Sequence, residues 1–281
     1  MPQPSALPPF EHRYVTLPDV RLHVAELPAG PRPMVLLHGI GMDWRVWQAM
    51  ARRFAPAFHL YAVDLRGHGQ SDKPERGYSI AHYAADIEDL IDSLGLTDAV
   101  VVGSSLGGVI GGAVEIPPDV VSRRILVDPP LTGGPLRDKD MFRDILVLKH
   151  GRPPALADYL ARRNPEAGRF LAEAMAEMWR ESADGVLTEP LSDADHYFDI
   201  APALRQVESP TLLMRAEPDK GGALSAADAE RALRLLPAGS SVVFIPGSGH
   251  AVHATNPVEF ASQVYRFTGA DSTTAGAERS A

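Results

Sequence analysis

The sequence predicts an α/β protein: a mostly parallel central sheet flanked by helices, interrupted once by an all-helical insertion. Short apolar runs alternate with amphipathic stretches along most of the chain, which is the pattern of strands crossed over by helices. The β-branched run Ala99-Val100-Val101-Val102 is suited to a strand covered on both faces. From about Pro129 to Glu208 no strand candidate occurs, so this stretch reads as helical throughout.

Taken in order, His12–Leu17, Val20–Glu26 and Pro33–Leu37 read as the first strands, and Trp44–Phe54 as a helix. His59–Asp64 is the next strand, and Ile80–Leu94 a helix stopped by Gly95. Asp98–Gly103 is a strand, Leu106 to about Val114 a helix, and Arg124–Asp128 a strand. The last strands are Thr211–Arg215 and Ser241–Ile245, separated by a helix over Ala226–Leu236. Asn256 and Pro257 form a cap and first turn for a closing helix that runs to Phe267. This divides the chain into a core of residues 1–128 and 209–270, a helical lid of 129–208, and a small, polar, disordered tail of 271–281. Inside the lid, Asn164-Pro165 starts a helix carrying Phe170, Leu171, Met175, Met178 and Trp179. Lids exclude water and shape pockets, so substrate choice is expected to reside there.

Composition narrows the function classes. The chain has 281 residues, 45% of them apolar, and no cysteine, which removes disulfides, thiolate zinc sites and a cysteine nucleophile. The formal charge is −9 and no basic run occurs, so neither nucleic acid nor an anionic membrane surface is an expected partner. No stretch is long and apolar enough for a membrane span, and Met1–Pro9 lacks the basic and apolar regions of a signal peptide. The expected location is cytoplasmic and the expected partner a small-molecule substrate. The sequence leaves the oligomeric state open. The histidines have no metal-ligand spacing with carboxylates, so neither a metal nor another cofactor is expected.

The chemistry centres on Gly103-Ser104-Ser105-Leu106-Gly107-Gly108, which directly follows an apolar strand and directly precedes a helix. A G-x-S-x-G in that context puts its serine on a sharp bend, with glycines where a Cβ would clash. Ser105 is therefore the candidate nucleophile, at the positive end of the following helix. A serine hydroxyl needs a base to take its proton. His250, in the loop after the last strand, emerges at the same carboxyl edge of the sheet and is the candidate base. His253 reads as a packing residue, and His38 and His68 as structural. Two N–H groups should face the developing alkoxide. Leu106, directly after the nucleophile, offers one, and Ile40, between Gly39 and Gly41, the other.

His38-Gly39, the run Asp64-Leu65-Arg66-Gly67-His68-Gly69-Gln70-Ser71, the Ser105 turn and Gly249-His250 stand in the order of one superfamily. From about Val15 to Phe267 the chain resembles the α/β-hydrolases. Ser104 departs from the pattern, since many relatives carry histidine there. The third member of a Ser–His–Asp triad has two candidates. Asp219, after the strand Thr211–Arg215, has the superfamily's usual position and is marginally preferred. Asp128 ends the preceding core strand, in Leu126-Val127-Asp128-Pro129-Pro130-Leu131-Thr132-Gly133-Gly134. That stretch resembles amide hydrolases of the N-formylmaleamate deformylase and 2-(acetamidomethylene)succinate hydrolase type, a resemblance that implies Asp128 as the acid.

The expected activity is hydrolysis of a small acyl compound through an acyl-enzyme, at a C–N amide or enamide bond or a carboxylic ester. Two alternatives stay open: C–C hydrolysis of aromatic ring-cleavage products, and a non-catalytic ligand receptor on the same fold. Ser105 at the turn excludes mechanisms that need a carboxylate there. Arg137 and Arg143, with Lys139, Lys149 and Arg152, alternate with acidic residues and read mainly as solvated helix faces. The sharper expectation is that Arg137 or Arg143 turns inward to a substrate carboxylate. Trp179 is a candidate for lining the acyl pocket, as are Trp44, Trp47, Phe170, Met175 and Met178, although such residues at helical spacing are more often core.

Overall fold

A computed structural model of the chain describes residues 9–131, 139–163 and 168–270. Eight strands form one sheet in the order β1-β2-β4-β3-β5-β6-β7-β8. They are β1 (Glu11–Thr16), β2 (Arg21–Leu27), β3 (Arg32–Leu37), β4 (Phe58–Val63), β5 (Ala99–Ser104), β6 (Val121–Val127), β7 (Thr211–Arg215) and β8 (Ser241–Phe244). The β1–β2 and β2–β4 pairs are antiparallel and every later pair is parallel. The order reverses around β3, which lies between β4 and β5. In open α/β sheets the crevice at such a reversal, outside the carboxyl ends of the strands, is where ligands bind.

The helices of the core are α1 (Gln48–Phe54), α2 (Ile80–Ser93) and α3 (Leu106–Ala113). Between β6 and β7 come α4 (Lys139–Leu148), α5 (Pro153–Arg163), α6 (Gly168–Glu181), α7 (Gly185–Ser192) and α8 (Ala201–Leu204). After β7 follow α9 (Ala226–Leu233), α10 (Val252–Thr255) and α11 (Pro257–Thr268). No helix among the described residues is long and apolar enough to cross a membrane.

Alternation along the central strands explains their composition. Met34, Leu36, Val100 and Val102 point to one face of the sheet, into a core with Trp47, Phe54, Phe260 and Val264. Val35, Leu37 and Val101 point to the other, into a core with Ile87, Leu90, Val109 and Ile110. Both faces are covered by helices, so no polar residue is needed at alternate positions. A third cluster, of Phe142, Ile145, Leu156, Leu160, Ala172, Ala176, Trp179 and Leu187, holds the helices between β6 and β7 together.

Several boundaries differ from expectation for local reasons. Trp44–Trp47 is a 3-10 turn, capped by the Asp43 side chain on Arg45 N–H, before α1 begins. Strand β6 starts at Val121, because Ala99 N–H already pairs with the Val120 carbonyl. Helix α9 stops at Leu233, with Arg234 as its C-cap. The expected tail, 271–281, and the expected helix start at Asn164-Pro165 lie outside the described residues.

Candidate active site

Ser105 sits between β5 and α3 with φ 53° and ψ −115°, a left-handed backbone that costs a non-glycine residue energy. The bend is possible because its neighbours two positions away have no side chain. A Cβ on Gly103 would fall 2.0 Å from the Gly107 carbonyl oxygen, and one on Gly107 would fall 2.3 Å from the Leu37 carbonyl oxygen. Ser105 N–H donates to the Val127 carbonyl, which ties the turn to the end of β6. Leu106 N–H is the first of the helix α3 and belongs to the set of amides a helix leaves without an internal partner.

The loop after β3 lies against this turn. A Cβ on Gly39 would stand 3.4 Å from Ser105 Cβ and 4.0 Å from Ser105 Oγ. Ile40 and Gly41 follow, with Gly41 at φ 71°. The Trp179 indole from α6 covers Gly41 so closely that a Cβ there would fall 2.3 Å from three of its ring carbons. The side chains of Ile40 and Met42 also pack against the apolar cluster of the inserted helices. The loop is thus held between the core and the insertion.

His250 Nδ1 lies 2.7 Å from Asp128 Oδ2. Asp128 follows β6, is fully buried, and has φ 47°, a conformation in which aspartate is enriched. Its carboxylate also accepts three backbone N–H groups: Ala216 to Oδ1 at 3.0 Å, Leu224 to Oδ1 at 3.2 Å and Ala223 to Oδ2 at 2.7 Å. Its own N–H donates to the Met214 carbonyl at 2.7 Å. The imidazole is partly exposed, at 38% of its side chain. With Nδ1–H donating to Asp128, its Nε2 is the nitrogen left to accept a proton. Among the described residues, Ser105 Oγ and His250 share no hydrogen bond; in proteins without substrate this contact is often open.

The preference for Asp219 is corrected by this geometry. Asp219 is exposed, in the 3-10 turn Pro218–Lys220, and Asp128 occupies the only carboxylate position on His250 Nδ1 among the described residues. The loop after β7 serves Asp128 through its amides rather than through an acid of its own. The loop is also stitched to the His250 loop, by Glu217 N–H on the Ser248 carbonyl and by Gly247 N–H on Glu217 Oε2. The three amides around Asp128 had no sequence signature beyond the flexible pair Gly221-Gly222.

The remaining expectations divide. Arg143 faces solvent, 64% exposed, and pairs with Asp140 one turn earlier on α4, which is the solvated-face reading and not the inward one. Arg137 lies outside the described residues. Lys149 is corrected from a solvated position to a buried one, where it pairs with Asp184 at 2.9 Å and donates to the Ser182 carbonyl. Phe170, expected in core or pocket, is exposed at 86%. Trp44, Trp47, Met178 and Trp179 are buried. His253 packs on Trp47 with ring centroids 4.5 Å apart, and burial together with the neighbouring His250 pushes its pKa down to about 4.

Comparison with known proteins agrees with this architecture. The model of the alpha/beta hydrolase family matches residues 34–263. A 2-(acetamidomethylene)succinate hydrolase from Mesorhizobium japonicum is 33% identical over 267 residues, covering 88% of this chain and 91% of that protein. The crystal structure of E-2-(acetamidomethylene)succinate hydrolase superimposes with a TM-score of 0.73 at 28% identity, over 92% of this chain and 99% of that one. The N-formylmaleamic acid deformylase of Pseudomonas putida S16 superimposes with a TM-score of 0.77 at 25% identity, over 90% of this chain and 100% of that one. With a family match across most of its length and a hydrolase of similar size aligned nearly end to end, this chain belongs to the alpha/beta hydrolase family and is a hydrolase.

Proposed function

We propose that the protein hydrolyses a C–N bond of a small acylated enamide or amide that carries carboxylates, through an acyl-enzyme on Ser105. The observation that carries this reading is the Asp128–His250 hydrogen bond at the carboxyl edge of the sheet that also presents Ser105. In this mechanism His250 Nε2 takes the Ser105 proton as Oγ attacks the acyl carbon. Asp128 holds the imidazole in the Nδ1–H tautomer and stabilises the cation that forms. The tetrahedral alkoxide is received by the N–H groups of Leu106 and Ile40, an arrangement worth about 10²–10³ in rate per donor. As the tetrahedral intermediate collapses, His250 Nε2–H protonates the leaving nitrogen, the C–N bond breaks and the acyl group stays on Ser105 Oγ. A water that gives its proton to His250 Nε2 then attacks the acyl carbon, the bond from that carbon to Ser105 Oγ breaks, and Nε2–H returns the proton to Oγ as the acid leaves.

The choice of an amide over an ester is supported by the named activities of the two similar hydrolases, one acting on 2-(acetamidomethylene)succinate and the other on N-formylmaleamic acid. A chain of net charge −9 needs a local cation to hold such a dianion. Arg143, paired outward, does not meet that need, and Arg137 is the guanidinium proposed for it. Trp179 and the inserted helices are proposed to close over the bound substrate as a lid.

The test is release of small acid from a panel by wild type and Ser105→Ala. The panel pairs N-formyl and N-acetyl enamide dicarboxylates with short aryl esters and a ring-cleavage dienone. Fast release from the enamides that disappears in Ser105→Ala is the expected result. Turnover confined to the esters or the dienone overturns the amide reading, and turnover that survives Ser105→Ala overturns the nucleophile.

A further inference from the structure

His38 and His68 are fully buried and take no part in the steps above. Each ring makes one hydrogen bond as a donor and one as an acceptor. His38 Nδ1–H donates to the Gly39 carbonyl at 2.8 Å, and its Nε2 accepts Leu65 N–H at 3.0 Å. His68 Nδ1–H donates to the Arg66 carbonyl at 2.9 Å, and its Nε2 accepts Gly41 N–H at 3.0 Å. Backbone N–H groups only donate, so both Nε2 atoms are unprotonated and both tautomers are set. The two rings meet edge to face, with centroids 4.8 Å apart. Burial lowers the pKa of both, that of His68 to about 3, which keeps the rings in the neutral form these bonds require.

The groups they hold are the two peptide units on either side of Ile40. The Gly39 carbonyl and Ile40 N–H belong to one rigid trans peptide, so a bond that fixes the carbonyl also fixes the N–H pointing the opposite way. The Gly41 N–H belongs to the next unit. We propose that His38 and His68 are positioning residues that clamp both peptide planes flanking Ile40 and so aim Ile40 N–H at the alkoxide formed on Ser105. Met42 N–H also donates to the Gly39 carbonyl, at 3.1 Å, but from within the same turn. The histidines anchor that turn to the segment Leu65–His68 across the crevice. This inference rests on the reading of Ile40 N–H as an oxyanion donor.

The clamp makes an asymmetric prediction that packing alone does not. An asparagine amide reaches about as far as imidazole Nδ1, and a glutamine amide about as far as Nε2. His38→Asn keeps the donor to the Gly39 carbonyl, whereas His38→Gln keeps only the acceptor for Leu65. At the other ring the roles reverse: His68→Gln keeps the acceptor for Gly41 N–H, and His68→Asn does not. With p-nitrophenyl acetate as probe, His38→Gln and His68→Asn should lose about 10²-fold in kcat with KM changed less than about threefold. His38→Asn and His68→Gln should stay within about tenfold of wild type. The same amide preferred at both positions, or kcat unchanged in all four variants, overturns the clamp. Ser105→Ala is run in parallel. Ser105-dependent turnover with no crossed ranking sinks the clamp alone, while turnover that survives Ser105→Ala sinks the nucleophile reading and the clamp with it. Nitrogen-15 spectra of histidine in the wild-type protein give a check independent of variant folding. At pH 8 both rings should be neutral Nδ1–H tautomers, and an Nε2–H form for either contradicts the proposal.

Discussion

Asp128 Oδ2 lies 2.7 Å from His250 Nδ1, and the same carboxylate accepts the N–H groups of Ala216, Ala223 and Leu224. A buried carboxylate is stable only when its oxygens are satisfied, and four donors satisfy this one. The donors come from the loops after β7 and β8, so Asp128, His250 and the last two parallel strands are locked into one unit. The carboxylate is thereby oriented before any substrate arrives.

Replacing Asp128 by Asn should therefore cut kcat by about 10⁴, since the amide favours the wrong tautomer of His250. Asp219→Asn, a change on an exposed turn, should stay within about twofold. Steady-state kinetics on the best substrate of the panel decide between them, and comparable losses at both positions contradict the assignment.

Much of this was legible in the chain. The strand order of apolar runs, the glycines around Ser105 and the loop position of His250 follow from local rules on spacing and sterics. The choice between Asp128 and Asp219 did not, because it depends on which of two adjacent strand ends lies under the His250 loop. Asp219 has the right spacing after β7, but the turn Pro218–Lys220 carries it to the surface. Lys149 was equally unreadable, whereas Arg143 lies on the solvated face that the charge alternation suggested. Both sit among alternating charges, yet Arg143 pairs outward with Asp140 while Lys149 is buried against Asp184. Only the packing of α4 on its neighbours separates the two.

Gly41 is the contact between the loop after β3 and the inserted helices. Gly41→Ala would force a Cβ into the Trp179 ring at a φ of 71°, so both space and backbone oppose it. The expected cost is about 1–3 kcal/mol in stability, with kcat reduced more than KM is raised. Trp179→Ala, which empties the buried face of α6, should cost about 3–5 kcal/mol. Urea melts read the first quantity and kinetics the second. A Gly41→Ala protein with wild-type stability and kcat contradicts the contact.

Arg124 is fully buried with no carboxylate in contact among the described residues, its pKa pushed down to about 10 by burial. Its guanidinium donates to the Gly111 and Val114 carbonyls at 2.8 Å, closing the end of α3, and to Ser209 Oγ at 2.8 Å. Arg124→Met removes a desolvated charge but leaves those carbonyls unpaired, each at about 1–3 kcal/mol. The expected net is a loss of at least about 2 kcal/mol in a denaturant titration. Unchanged stability contradicts the capping role.

His68 and His253 have folded pKa values of about 3 and about 4, against an unperturbed 6.5. Below pH 6.5 the unfolded chain binds protons at these sites and the folded chain does not, so stability rises with pH across this range. It should be fully present above about pH 6.5 and fall toward pH 4, by up to about 1.4 kcal/mol per pH unit for each histidine. Urea midpoints at pH 7, 6 and 5 measure it, and His253→Phe should flatten the slope. A midpoint that does not drop between pH 7 and 5 contradicts the buried neutral state.

If Ser105 is the nucleophile, activated by His250 and Asp128, it should react covalently with a phosphonylating probe. The most direct measurement is reaction with a fluorophosphonate ester, followed by intact mass and peptide mapping. One phosphonyl group per chain on the peptide containing Ser105, with no label in Ser105→Ala and much slower labelling in Asp128→Asn, is the predicted result. Label on another residue, or an unlabelled protein that still turns over substrate, contradicts the claim.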